Sequence, residues 1–523
     1  MSQVGLAVVS LYAALWLSRA IYRLYLHPLS RYPGSPVATA STAWYEWYWN
    51  YYQNGQMIFE IERLHRIHGP VIRIGVNDLH ISDPAVYQDM TRIDSGFTKD
   101  PYFYQFISFP HTSIGETDPA LHRVRRKVLT PALSGTRVQE LAPTIVAKTE
   151  QLMRRFDGVA VSRSTISIHA AAKAFTMDII SKIVLGQEMG CVAEPSFRNE
   201  FIDFLHAAFS VGWMAPAFPR LSSMAIAIVE RAGVKIIPVA LVDFKRVDFL
   251  LTTIPKCLKI TERYLAKFDA NHKLTASIAP SLPTPSDTPG LSSRSAVIDM
   301  LMNPASAKGH TVPTISELND ELIMLLTAGN DTTSNAMVAG IHRICSDAAV
   351  RHRLVDELRA HSPAVDDPIP YEMAKRLPYL NATIKEILRL AHPLPGRLPR
   401  VVPAQGYTLY GHTLEAGTVI HTSAYILNRH ADIFDRPDEF DPDRWLREDS
   451  ARLEKHLATF NRGVRQCLGK DLAWCELLVL LANLFRRFEL TPVGVGPRDM
   501  EWADLVLTVY KGDFQCSVKR RVY

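Results

Sequence analysis

The sequence contains no Cys-x-x-Cys pair. Its six cysteines, Cys191, Cys257, Cys345, Cys467, Cys475 and Cys516, are widely dispersed, which excludes a dense disulfide framework and reads as reduced thiols facing the cytosol. Charge of one sign is lacking too: a formal charge of +5 on 523 residues is small, and nothing points to a nucleic-acid partner. There is no internal repeat, and no flavin or dinucleotide motif lies at either end. With 47% hydrophobic and 21% charged residues the chain is globular and can bury a large core.

Among apolar runs one opens the chain. Residues 4–17 are almost wholly apolar, end at Arg19 and Arg23, and carry Tyr12, Trp16, Tyr22 and Tyr25 near their ends, as a membrane segment with an aromatic belt does. The run is short for a bilayer span unless Arg19 snorkels and residues 20–26 extend the helix, so a signal peptide is the rival. No small-x-small cleavage site follows, and the flanking cations keep the rest of the chain cytosolic by the positive-inside rule. Residues 1–26 are therefore expected to form a transmembrane anchor, and residues 27–523 a catalytic domain. Between them the prolines of His27-Pro28-Leu29-Ser30-Arg31-Tyr32-Pro33-Gly34 stop the helix and make a stiff elbow.

Val71-Ile72-Arg73-Ile74 and Leu79-His80-Ile81 read as a small β-hairpin. Residues 101–110 are crowded with Tyr102, Phe103, Tyr104, Phe106 and Phe109 without a clean period, fitting a local core or a pocket wall. His122-Arg123-Val124-Arg125-Arg126-Lys127 is a dense basic stretch, by itself a solvated helix face. Residues 197–267 have a helical pattern interrupted by two apolar runs, 213–219 and 236–242, which read as buried packing or as a lipid-dipping loop. Residues 272–295 are rich in Ser, Thr and Pro and read as an exposed linker.

The stretch around which the chain is organised is Phe460-Asn461-Arg462-Gly463-Val464-Arg465-Gln466-Cys467-Leu468-Gly469, followed by the helical pattern Leu472, Leu477, Leu478, Leu481. A cysteine at a helix mouth meets free N–H groups and the positive dipole end, which favour thiolate. Gly463 and Gly469 allow close backbone approach, and Arg465 adds a cation. Alone, Cys467 reads as a small buried hydrophobe. However, Phe-x-x-Gly-x-Arg-x-Cys-x-Gly fixes five residue types at set spacing and resembles the haem-binding signature of cytochrome P-450 monooxygenases.

Thr314 with Glu317 makes a capping box, and the helix it starts should run to about Cys345. Its middle, Ala328-Gly329-Asn330-Asp331-Thr332-Thr333-Ser334, consists of poor helix formers and predicts a break. It resembles the oxygen-binding kink of the family. By that resemblance Gly329 leaves room for dioxygen, Thr332 hydrogen-bonds it and a water, and Asp331 feeds protons. Glu386 and Arg389 form an i, i+3 pair, ordinarily a weak surface contact. With Arg444 in Phe440-Asp441-Pro442-Asp443-Arg444-Trp445 they resemble the triad that braces the haem loop.

What the resemblance implies is a mainly α fold with a small β-region and haem b held by the Cys467 thiolate beside Phe460 and Arg465. His122, in place of the family's Trp, with Arg126 and Arg400, would bind the propionates, and residues 394–398 would line the pocket. Lys511-Gly512-Asp513 would turn a terminal hairpin. The implied enzyme hydroxylates or epoxidises a lipophilic small molecule with dioxygen and electrons from NADPH. These come through a separate membrane-bound flavoprotein reductase, with cytochrome b5 as a further donor, docked near Arg123, Arg125, Arg462 and Lys470. The location implied is the endoplasmic reticulum membrane. Likeness in residues 25–34 and 69–87 to fungal enzymes of the trichodiene oxygenase group suggests a terpenoid or polyketide. Two rivals are a reductase-independent haem-thiolate isomerase or dehydratase and a non-catalytic haem-binding membrane protein; the Asp331-Thr332 pair weighs against both.

Overall fold

A computed structural model describes residues 3–104, 112–198, 202, 296–362, 364–494, 496 and 499–522. Phe106, Phe109, the apolar runs at 213–219 and 236–242 and the Ser/Thr/Pro linker lie outside these described residues. The helices that position the site are α1 (Gln3–Ile21), α2 (Pro119–Leu133), α3 (Gly135–Ser162), α4 (Ile168–Leu185), α5 (Ile315–Ser346), α6 (Pro378–Ala391) and α7 (Lys470–Arg487).

The capping box forms as the sequence predicts: Glu317 N donates to Thr314 Oγ1 at 3.3 Å, and Thr314 N donates to Glu317 Oε2 at 2.8 Å. From there α5 runs unbroken for 32 residues, so the expected break at Ala328–Ser334 is absent. Its polar residues have found partners that leave the backbone ladder intact. Thr327 and Thr332 hydroxyls donate one turn back, to the carbonyls of Ile323 and Ala328, both at 2.8 Å. Asn335 Nδ2 reaches the Thr508 carbonyl at 2.7 Å. Apolar faces of α2 to α7 meet in one core that includes Val128, Leu152, Phe175, Leu326, Ile384 and Leu480.

Beside the helices lies a five-stranded sheet of β1 (Val71–Arg73), β2 (Asp78–Ile81), β3 (Thr98–Lys99), β4 (Arg400–Val401) and β5 (Val419–His421), in the order β1-β2-β5-β4-β3. The expected hairpin is present, with Val71 opposite Ile81 and Arg73 opposite Leu79. At the other edge Lys99 pairs with Arg400, which sets two cations side by side. Lys511-Gly512-Asp513 does not turn a hairpin: Leu507–Tyr510 pairs with Trp502–Leu505, and Gln515–Arg520 pairs with Thr165–Ser167 and Phe488–Pro492. It is a link between two sheets.

At the N-terminus α1 exposes Val8, Leu11, Leu15 and Leu17 and continues into a π-helical turn, Tyr22–Leu26. Among the described residues no helix is long and apolar enough to cross a membrane; Ser10, Ser18 and Arg19 interrupt the apolar surface of α1. The elbow and the turn before it are anchored to the domain: Arg73 N donates to the Pro33 carbonyl at 2.7 Å. Arg73 Nη1 donates to the Arg23 carbonyl at 2.8 Å, and Arg23 Nη1 to the Ala40 carbonyl at 2.6 Å.

Candidate functional site

The cysteine loop is held by its own backbone. Cys467 N donates to the Phe460 carbonyl at 2.8 Å and Gln466 N to the Gly463 carbonyl at 3.1 Å. Gly463 has φ +64°, and a Cβ there would stand 1.9 Å from the Thr91 carbonyl oxygen, so both its conformation and its surroundings require glycine. Gly469 is different: its φ is −86° and nothing lies near its missing Cβ. Phe460 packs, partly buried, against the main core. Cys467 keeps accessible surface although it lies deep in the protein. Burial pushes its thiol pKa up, and the Gly469 N–H and the Arg126 charge recover only part of that rise. The helix mouth alone therefore does not give the lowered pKa that the sequence suggested; desolvation of a thiolate outweighs it.

Around the loop the predicted cations converge. Arg126 Nη1 donates to the Gln466 carbonyl at 2.7 Å, next to Cys467, and Arg465 Nη1 donates to the Glu116 carbonyl at 2.9 Å. Arg400 Nη1 donates to the Pro399 carbonyl at 2.7 Å and to the Tyr104 hydroxyl at 3.3 Å. Lys99 joins them: it is buried, sits 4.1 Å over the Tyr104 ring, and donates to the Ile114 carbonyl. Burial, then the charges of Arg400 and Arg126, push Arg465 down to about 10. Burial and the neighbouring Arg465, Lys99 and Arg126 push His122 down to about 3, so it stays neutral.

Among the described residues no carboxylate oxygen comes within 4.0 Å of a guanidinium nitrogen of Arg126, Arg400 or Arg465. Cations gathered in a wholly or partly buried cluster, with Arg400 and Arg126 acting against the charge of Arg465, call for an anion. A planar ligand with two carboxylates beside a thiol supplies that charge where Arg126, Arg400 and Arg465 can take it, so these residues fit haem. Lys99 was not legible as a member; a lone lysine in a two-residue strand carries no distinguishing pattern. Of residues 394–398 only Leu394 and Leu398 are partly exposed, and the other three are buried.

Asp331 and Thr332 make their described contacts away from this cluster, Asp331 toward α4 and Thr332 on its own helix. Asp331 is buried with Lys173 Nζ 3.6 Å from Oδ1; burial raises its pKa and Lys173 lowers it, with a net rise. Asn330 Oδ1 accepts the Thr176 hydroxyl at 2.6 Å. Gly329 also has a packing role. A Cβ there would stand 2.4 Å from Ile180 Cγ1, so its missing side chain admits α4 against α5.

The brace behind the loop is formed as expected. Glu386 accepts from Arg389 Nη2 at 2.7 Å, Arg444 Nε at 3.0 Å and Trp445 Nε1 at 2.9 Å, all three charged side chains being fully buried. Arg389 Nη1 donates to the Asn428 carbonyl, and Asn428 holds Ala458 N and Thr459 Oγ1, just ahead of Phe460. On the outer face Arg123 is exposed, but Arg125 turns inward to Glu116 and the Thr112 carbonyl, leaving Arg125 poorly placed to meet a partner.

A cysteine loop braced by a buried Glu-Arg-Arg triad, in a mainly helical fold, defines a haem-thiolate class of protein. The family model for Cytochrome P450 matches residues 40–515, and the chain belongs to that family. It is 57% identical over 472 residues to Cytochrome P450 monooxygenase sol6 of Alternaria solani, covering 90% of this chain and 96% of that one. It is 32% identical to Cytochrome P450 monooxygenase macH of Penicillium terrestre, covering 96% and 95%. Tryptophan 6-hydroxylase fscE of Fusarium equiseti is 30% identical, covering 90% and 88%. The protein is a cytochrome P450 monooxygenase, and the family implies haem with a cysteine thiolate and electrons from a redox partner.

Proposed function

We propose that Cys467 is the axial thiolate and that Arg126, Arg400 and Arg465, with neutral His122, hold the propionates. The observation that carries this is the set of three arginines, free of carboxylate partners among the described residues, gathered about the Cys467 loop. Haem so held supplies dioxygen activation with the thiolate as electron donor. The chain's own part is positioning and proton supply. Phe460 packs beside the loop, and the Glu386 brace fixes where Cys467 stands. Asp331, its pKa raised by burial, holds a proton more readily than an ordinary carboxyl, and Lys173 keeps it oriented. Thr332, partly accessible on α5, rests its hydroxyl on the Ala328 carbonyl and would leave it to hydrogen-bond dioxygen or a water.

The substrate is a lipophilic small molecule of fungal secondary metabolism, a terpenoid or polyketide, that is hydroxylated or epoxidised; the hydroxylase among the relatives supports insertion of oxygen at C–H. Electrons come from NADPH through a flavoprotein reductase, with cytochrome b5 as a second donor, near Arg123, Arg462 and Lys470. Residues 1–26 hold the protein at the endoplasmic reticulum membrane, α1 being extended by Tyr22–Leu26, with the domain in the cytosol. The test is turnover of an extract of the producing fungus with and without NADPH and reductase. Product only when both are present supports the reading; product without them favours the isomerase.

A further inference from the structure

The segment Thr112–Glu116 has more ties than a five-residue connection requires. Four elements reach it through its backbone. Lys99 of β3 donates to the Ile114 carbonyl, and Arg125 of α2 donates to the Thr112 carbonyl at 3.2 Å. Arg465 of the cysteine loop takes the Glu116 carbonyl at 2.9 Å. Glu321 of α5, 5% exposed, accepts Ser113 N at 2.7 Å on Oε2 and Ser113 Oγ at 2.6 Å on Oε1. Both oxygens of a buried carboxylate are thus spent on one residue of a loop.

Glu321 also lies eleven residues before Thr332, three turns and so on the same face of α5, about 16 Å away along the axis. The loop is therefore clamped between the helix that carries Asp331 and Thr332 and the cations gathered around Cys467. A carboxylate accepting two hydrogen bonds in a buried setting holds its partner more tightly than a neutral acceptor does. Replacing the carboxylate by a neutral amide removes the charge from both bonds and leaves one acceptor oxygen where there were two, so the grip on Ser113 weakens.

We propose that Glu321 is a positioning residue: its grip on Ser113 fixes the segment Thr112–Glu116, and that segment fixes Lys99 and Arg465 for the anionic edge of the cofactor. The consequence for haem rests on the reading in the preceding section; the grip itself does not.

The test compares full-length wild-type protein with Glu321→Gln and Ser113→Ala. Hydrogen–deuterium exchange is followed on peptides covering residues 112–118, together with haem transfer to excess apomyoglobin and the thermal midpoint. For Glu321→Gln the expected result is loop exchange faster by about tenfold or more, faster haem loss, and a midpoint held within a few degrees. Ser113→Ala, which keeps the N–H bond, should show the same changes to a smaller extent, and it decides the matter if Glu321→Gln fails to fold. Unchanged loop exchange overturns the proposal. So does faster exchange throughout the core with a collapsed midpoint, which makes Glu321 a general core residue. Faster loop exchange with haem loss unchanged also overturns it, since the loop then does not position the cations. Wild-type protein that binds no haem would sink the preceding reading, while the exchange comparison would still decide whether Glu321 grips the loop.

Discussion

Thr332 Oγ1 donates to the Ala328 carbonyl one turn back at 2.8 Å, so the hydroxyl proposed to guide protons is parked on its own helix. Turning it outward breaks no tertiary contact among the described residues. Thr332→Ala should therefore leave the fold and the cysteine-ligated spectrum intact while NADPH consumption persists, product falls and hydrogen peroxide rises. Asp331→Asn should instead slow oxygen activation, because the buried proton source is gone. Stoichiometry of NADPH, peroxide and product checks both; full coupling in Thr332→Ala would show that Thr333 supplies the hydroxyl or that protons travel another way.

Gly329 and Ile180 test packing against oxygen chemistry. A methyl on Gly329 collides with the Ile180 side chain at 2.4 Å, so Gly329→Ala should lower stability by about 1–3 kcal/mol. Adding Ile180→Ala should return part of that loss. Urea unfolding of the single and double variants measures the coupling. Gly329→Ala with native stability and failed oxygen use would return the glycine to the role its sequence position suggested.

Acid should strike the brace. Burial alone would raise the Glu386 pKa, but the hydrogen bonds and charge of Arg389 and the charge of Arg444 win, and the net shift is downward. A carboxyl with a lowered folded-state pKa contributes stability that is complete above the ordinary carboxylate range and is lost as pH falls through the lowered value. Glu386→Gln strands two buried guanidinium groups and should cost about 3–5 kcal/mol near neutral pH. Its stability should then fall less on acidification than that of the wild type. Urea titrations at several pH values would reveal it; parallel acid limbs would contradict the assignment.

Much of the site could be read in the sequence because its residues carry spacing as well as type. Phe460, Gly463, Arg465 and Cys467 form one local pattern, and Thr314 with Glu317 marks a helix start whose rule depends on four residues. Glu386 and Arg389 sit on one helical face, although only tertiary structure shows them fully buried with Arg444. What sequence misread was set by long-range contacts. The polar run Asn330-Asp331-Thr332-Thr333-Ser334 predicts a break by propensity, yet the helix stays whole, with partners such as Thr176 and Lys173, far along the chain, taking its polar side chains. Lys99 and Glu321 owe their places to a two-residue strand and a loop, and neither has a local signature. Burial, which is not visible in a string, reversed the expected pKa shift of Cys467.

Removing residues 1–26 should release the protein from microsomal membranes and leave haem binding in place. It deletes Arg23, whose carbonyl holds Arg73 and whose side chain holds Ala40, so a modest loss of thermal stability should accompany release. Sedimentation of microsomes and a melting curve give both readouts. Full-length protein recovered from medium with a shortened N-terminus would show a signal peptide instead.

The claim on which the rest depends is that Cys467 is the iron ligand, and the carbon-monoxide difference spectrum of the reduced protein tests it most directly. Wild-type protein and Cys475→Ala should both give the band that thiolate ligation alone produces, Cys475 being fully buried in α7 within the main core. Cys467→Ala should lose that band entirely, with its circular dichroism unchanged. A Cys467→Ala protein that kept the thiolate band, or a Cys475→Ala protein that lost it, would contradict the assignment.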